Sequence, residues 1–109
     1  MTDDIFPPRR VIETVECEFE GIRFYMTLGF YPGGRVGEVQ VSGFKHGAHV
    51  DLMMQDACAL ITALLQRFVS PLTLQEMMLR KTDGGPASLI GATIFQLVES
   101  VPEDGDANG

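Results

Sequence analysis

From Val11 to Phe30 the chain alternates apolar and polar residues with a period of two and changes register once, at Glu20-Gly21. Before that point the odd positions carry Val11, Glu13, Val15, Cys17 and Phe19, and the even positions after Ile12 are Thr14, Glu16, Glu18 and Glu20. After it the even positions carry Ile22, Phe24, Met26, Leu28 and Phe30, separated by Arg23, Tyr25 and Thr27. Successive side chains of a strand point to opposite faces, so each half reads as a half-buried strand, and the glycine turn between them makes a β-hairpin. Glu13, Glu16, Glu18 and Glu20 read as a solvated face, with Arg23 placed to answer one of them across the pair.

Tyr31-Pro32-Gly33-Gly34-Arg35 is a second turn, and Val36 to Val41 a third strand. Ser42 to His49 follows no period and carries Gly43 and Gly47, which makes it a loop. Between Asp51 and Val69, the residues Asp51, Gln55, Thr62 and Gln66 form one narrow polar stripe at helical spacing. Leu52, Met53, Ala57, Leu60, Ile61, Leu64, Leu65 and Phe68 cover more of this helix than one sheet face can hide, so it reads as the central element. A second helix starts at Ser70-Pro71, with Thr73-x-x-Glu76 as a competing start, and ends near Lys81. A third spans about Ser88 to Glu99 and is stopped by Pro102. The predicted architecture is α+β, an antiparallel three-stranded meander followed by three helices packed on one face (βββααα).

A chain of 109 residues is one domain with one modest core. The net charge of −7 is uneven: Asp3, Asp4, Glu103, Asp104 and Asp106 lie at the ends, and without them the charge is −2. The sequence therefore divides into a flexible N-terminal tail (1–8), a folded domain (9–101) and a disordered acidic tail (102–109), the last having an acidic interaction segment as its other reading. The acidic balance lacks the clustered cations that binding to nucleic acid requires. No apolar run is long enough to span a bilayer and no basic leader opens the chain, so no membrane partner and a cytoplasmic location are expected. Cys17 and Cys58 each sit in apolar periodicity and read as buried, reduced thiols.

Catalytic constellations are weak. The two histidines, His46 and His49, share one loop, and neither cysteine is near them in sequence. His46, His49 and Asp51 are a loose trio, better read as a solvated loop capping a helix at Asp51 than as metal ligands. Gly29, Gly33, Gly34 and Gly37 lie between strands, where a hairpin turn explains them better than a phosphate cradle. No catalytic residue, metal or cofactor is expected. The remaining candidate is cationic: Arg35, Lys45 and His46, with Arg9 and Arg10, gathered at one end of the sheet to hold a phosphate or an acidic partner, or else dispersed over the surface.

The order of segments resembles a known family. Arg10, the hairpin, the run Gly29-Phe30-Tyr31-Pro32-Gly33-Gly34-Arg35-Val36-Gly37-Glu38-Val39, then Lys45-x-Gly47, Ala59-Leu60-Ile61-Thr62-x-x-Leu65-Gln66 and Pro71-Leu72 are similar to the TSCPD domain over about residues 9 to 99. That domain stands at the C-terminal end of many adenosylcobalamin-dependent, class II ribonucleotide reductases and also occurs as short separate proteins. The Thr-Ser-Cys-Pro-Asp stretch that names it is absent: Cys17 precedes Glu18 and Cys58 precedes Ala59. Nor is there room here for a reductase barrel, radical cysteines or a cobalamin site. The resemblance implies a non-catalytic accessory or regulatory module that binds a class II reductase, with Arg35, Glu38, Lys45 and Gly47 matching the family pattern; with His46 from the cationic group they are the anion- or partner-binding candidates. A small nucleotide- or anion-binding protein, or an oligomeric protein of unrelated function, are the alternatives. Two open sheet edges and the excess apolar helix surface predict a homo-oligomer, most simply a dimer.

Overall fold

The computed structural model describes residues 11–101; the two expected tails, with Arg9 and Arg10, lie outside the described residues. The element order is β1 (Val11–Phe19), β2 (Ile22–Phe30), β3 (Val36–Ser42), α1 (His49–Gln66), α2 (Pro71–Met77) and α3 (Leu89–Ser100). The strands form one antiparallel sheet in the order β1-β2-β3, so the predicted α+β meander with three following helices is the fold.

The parity change does what the alternation requires. Glu20 and Gly21 both take positive φ, 51° and 83°, the conformation of a two-residue turn whose twist matches its strands. Register then sets Cys17 opposite Phe24 and Val15 opposite Met26, and β3 continues the row with Val39 opposite Leu28. The core follows from this row: Phe24, Met26 and Leu28 are fully buried. Glu13 shares the row, opposite Leu28, yet is exposed along with Val11, while Leu28 and Phe30 across from them are buried. Arg23 reaches diagonally to Glu16, at 3.4 Å, and not to Glu18 directly across from it.

Two helices differ from the sequence reading in extent. The first begins at His49, with Ala48 as N-cap and no side-chain cap. Asp51 sits three residues inside the cap and its Oδ2 accepts the backbone N–H of Gly47 at 3.0 Å, so it ties the loop to the first turn without being the cap. The second starts where expected, with Ser70 Oγ accepting the N–H of Thr73, but stops at Met77. The following residues form a small hairpin instead. Arg80 bridges to Pro86, Lys81 N–H donates to the Gly85 carbonyl at 2.8 Å, and Gly84 turns at φ 89°.

Within the described residues, the helix the chain itself encloses most is not the first. The more enclosed one is α3, which packs against α2, β1 and α1 and contributes Ile94, Leu97 and Thr93, each at most 1% exposed. By contrast, α1 lies along β3 and turns its polar stripe toward that strand's free edge. Thr62 Oγ1 accepts the Val39 N–H at 3.0 Å and donates to the Val39 carbonyl at 3.2 Å, while Gln66 Nε2 donates to the Gly37 carbonyl at 3.0 Å. Side chains thus take the place of a fourth strand. This protects an edge that would otherwise template pairing with another chain. Thr62→Val keeps the shape and removes both bonds; we expect a loss of about 1–3 kcal/mol in urea unfolding, with Thr62→Ser recovering most of it.

Candidate functional site

The turn between β2 and β3 is closed by Gly34 N–H on the Tyr31 carbonyl and by Tyr31 N–H on the Arg35 carbonyl, both at 2.8 Å. Gly34 supplies the positive φ, 98°, that this reversal needs. The turn aims Arg35 across the end of α1, where its guanidinium donates to the Leu65 carbonyl at 2.9 Å. The last turn of α1 contains no basic residue, and Arg35 joins Arg67, at the C-cap, in bringing the positive charge that a helix C-terminus favours. Its Cζ also stands 4.2 Å from the ring centroid of Tyr31 and 4.3 Å from that of Phe68.

Phe68 is in an uncommon conformation. Val69 N–H reaches back to the Leu64 carbonyl and Phe68 N–H to the Leu65 carbonyl, a helix-ending motif that puts the residue after the C-cap in the left-handed region. Glycine usually fills that place, yet here Phe68 holds φ 71° and leaves two-thirds of its surface open. What the phenyl ring gains is its contact with Arg35. Phe68→Ala keeps the unfavourable φ and loses the ring, whereas Phe68→Gly loses the ring and relieves the backbone. The glycine variant is therefore expected to be the more stable of the two by about 1 kcal/mol in thermal or urea unfolding.

The other sequence candidates lie elsewhere. Arg35 precedes β3, while Lys45, His46 and Gly47 follow it, so the strand's seven residues separate them by roughly 20 Å at ~3.3 Å per residue. Among the described residues, Lys45 and His46 therefore do not join Arg35 at one end of the sheet. Lys45 and His46 are exposed, and Gly47, at φ 78°, is held by Asp51. Phe44 stacks on Phe24 with centroids 5.2 Å apart and anchors this loop to the sheet. Glu38 accepts a bond from Gln40 Nε2 at 2.8 Å and lines an open groove of about 510 Å³ between β3 and α1, with Gln55, Cys58, Ala59 and Thr62 on the helix side.

The ionisable groups of the described residues offer little reactivity. Backbone donation from Gly47, then the bond from Gln55, with a smaller contribution from nearby His46, holds the Asp51 carboxyl below its ordinary range. Both thiols are buried and unpaired. Burial pushes Cys58 up to about 11 and raises Cys17 as well, with nearby Glu16 adding to the rise. A thiol near 11 is thiolate in only about one part in a thousand at pH 8. A thiol-specific reagent at that pH is expected to leave Cys58 unmodified in the folded protein and to react promptly once urea unfolds it. Among the described residues no three His, Cys, Asp or Glu side chains stand together as a metal-binding group. Nor, among them, is any helix long and apolar enough to cross a membrane.

What sequence reasoning missed is the surface of α1. With the polar stripe taken by β3, the helix buries Met54, Cys58, Ile61 and Leu65 and leaves Leu52, Met53, Leu60 and Leu64 exposed, Leu60 by 67%. Phe68 extends this face beyond the helix end, beside Arg35. The excess of apolar positions was visible, but the direction in which they point depends on what the polar stripe pairs with.

Neither a curated protein nor a solved structure matches the chain. A family model described as the TSCPD domain does, over residues 5–103, which is nearly the whole sequence. That span takes in the Tyr31–Arg35 turn, the Arg35–Phe68 stack and all of α1. The chain belongs to the TSCPD domain family, which links it to ribonucleotide reductases.

Proposed function

We propose that this chain is a non-catalytic accessory or regulatory module of a class II ribonucleotide reductase, serving deoxyribonucleotide synthesis in the cytoplasm by binding protein. The observation that carries this reading is the apolar side of α1, left open by the chain's own fold. A large exposed apolar face on a small domain is the signature of a protein-contact surface. Three further features support it. The family match covers the folded part, the two thiols are buried and poorly ionised, and Arg35 is spent on the helix end. An anion site would need Arg35 and Lys45 together, and β3 holds them apart.

The test is a pull-down of the tagged protein from a lysate of its source organism, with mass-spectrometric identification against a tag-only control. Specific enrichment of a ribonucleotide reductase, and a change in that enzyme's turnover when the purified protein is added, are the expected results. Recovery of the bait without the reductase, from a lysate in which the reductase is detected, overturns the reading.

A further inference from the structure

We infer that the exposed face of α1 is a self-association surface on which a second copy of this chain docks, its α1 antiparallel to the first across a two-fold axis. The inference rests on the proposed function only in taking this face as one that binds protein; a second copy and a reductase are alternative occupants of it, the dimer being the form of the free chain. Its basis is a symmetry in the exposed positions. Asp56, Leu60, Ala63 and Arg67 are all exposed and follow one another at intervals of four, three and four residues. That is the spacing of a seam along one side of a helix. The order acid, large apolar, small apolar, base is complementary to its own reverse.

An antiparallel copy centred between Leu60 and Ala63 therefore sets Leu60 against Ala63 and Asp56 against Arg67, and does so twice. A two-fold interface demands this kind of self-complementarity, in which one residue meets a second and the second meets the first. A parallel pairing in register would put Asp56 on Asp56 and Arg67 on Arg67. Neither Asp56 nor Arg67 takes part in the ion pairs found within the described residues.

Area points the same way. From their exposures, Leu52, Met53, Leu60, Leu64 and Phe68 leave open roughly 500 Å², the greater part of the ~800 Å² per partner of a standard stable interface. The exposed Ala59 and Ala63 lie between these larger side chains, which lets the backbones of two helices approach closely.

Sedimentation equilibrium of the purified full chain tests the inference. Wild type is expected at twice the chain mass of 12.0 kDa at micromolar concentration. Leu60→Glu should return it to the chain mass with an unchanged circular dichroism spectrum, since this side chain is open in the monomer. Asp56→Arg and Arg67→Asp turn both cross-pairs repulsive, and each should weaken the dimer by about tenfold or more. An equimolar mixture of these two variants restores opposite charges at both contacts and should associate as tightly as wild type.

A wild type that stays at the chain mass at millimolar concentration overturns the inference. So does a dimer indifferent to Leu60→Glu, or a mixture no tighter than either variant alone. The proposed function fails separately. A dimer of this kind that captures no reductase removes the reductase link alone, and a monomer whose reductase capture is lost in Leu60→Glu removes self-association alone.

Discussion

Replacing Arg35 by Ala is expected to lower the unfolding free energy by about 3 kcal/mol, combining one charge-assisted hydrogen bond with two partly desolvated cation–π contacts. The bond goes to the Leu65 carbonyl at the end of α1, and the contacts go to Tyr31 and Phe68. One planar cation thereby joins the β2–β3 turn, the C-terminus of α1 and the residue that leads toward α2. Arg35→Lys is the informative comparison. It keeps the charge near the helix end but loses the flat surface that lies over the rings, so it should recover less than half of the loss. Urea unfolding of the two variants at one pH and salt concentration measures this. Equal stability of Arg35→Ala and wild type would mean that the guanidinium is not an anchor and is free for an external anion.

Local pattern and tertiary pairing account for what was and was not legible in the sequence. The hairpin was readable because its information is local: a period of two and a parity change at one glycine determine which side chains share a face. Ser70 and Ser88 likewise announced their helices, since each cap bonds to an N–H three residues on. The end of α2 was not readable, because Leu79 and Lys81 fit a helical period as well as they fit a small hairpin. The orientation of α1 was hidden for a deeper reason. A polar stripe on an isolated helix looks like the solvent side, and only the unpaired edge of β3, more than twenty positions away, makes it the inner one. The same gap explains Arg35. Its position in the turn was legible, but its partners Leu65 and Phe68 are about thirty residues distant and obey no local rule that includes it.

Phe24→Ala is expected to cost about 3–5 kcal/mol, a large part of the ~5–15 kcal/mol that a domain of this kind has. Phe24 lies on the central strand, is fully buried, and faces Cys17 across the sheet. The cavity it leaves cannot readily collapse, because β1 pairs with Phe24 on one side and the Gly43 backbone lies against its Cα on the other. It also fixes the loop that follows β3. Phe44 stacks on its ring with the planes 25° apart, and Gly43 passes so close that an added Cβ would lie 3.1 Å from the Phe24 Cα. Gly43 also holds φ 107°, so the loop approaches this point by a route that excludes other side chains. Phe44→Ala, which removes a half-buried ring, should cost less, about 1–2 kcal/mol. A double-mutant cycle between the two should give a coupling of about 0.5–1.5 kcal/mol beyond the separate losses. A coupling near zero would mean that the loop carrying Lys45, His46 and Gly47 is held by Asp51 alone. In that case Asp51→Asn should by itself release the loop, with faster amide exchange at Gly47. With the stack in place, the exchange at Gly47 should change little until Phe44 is removed as well.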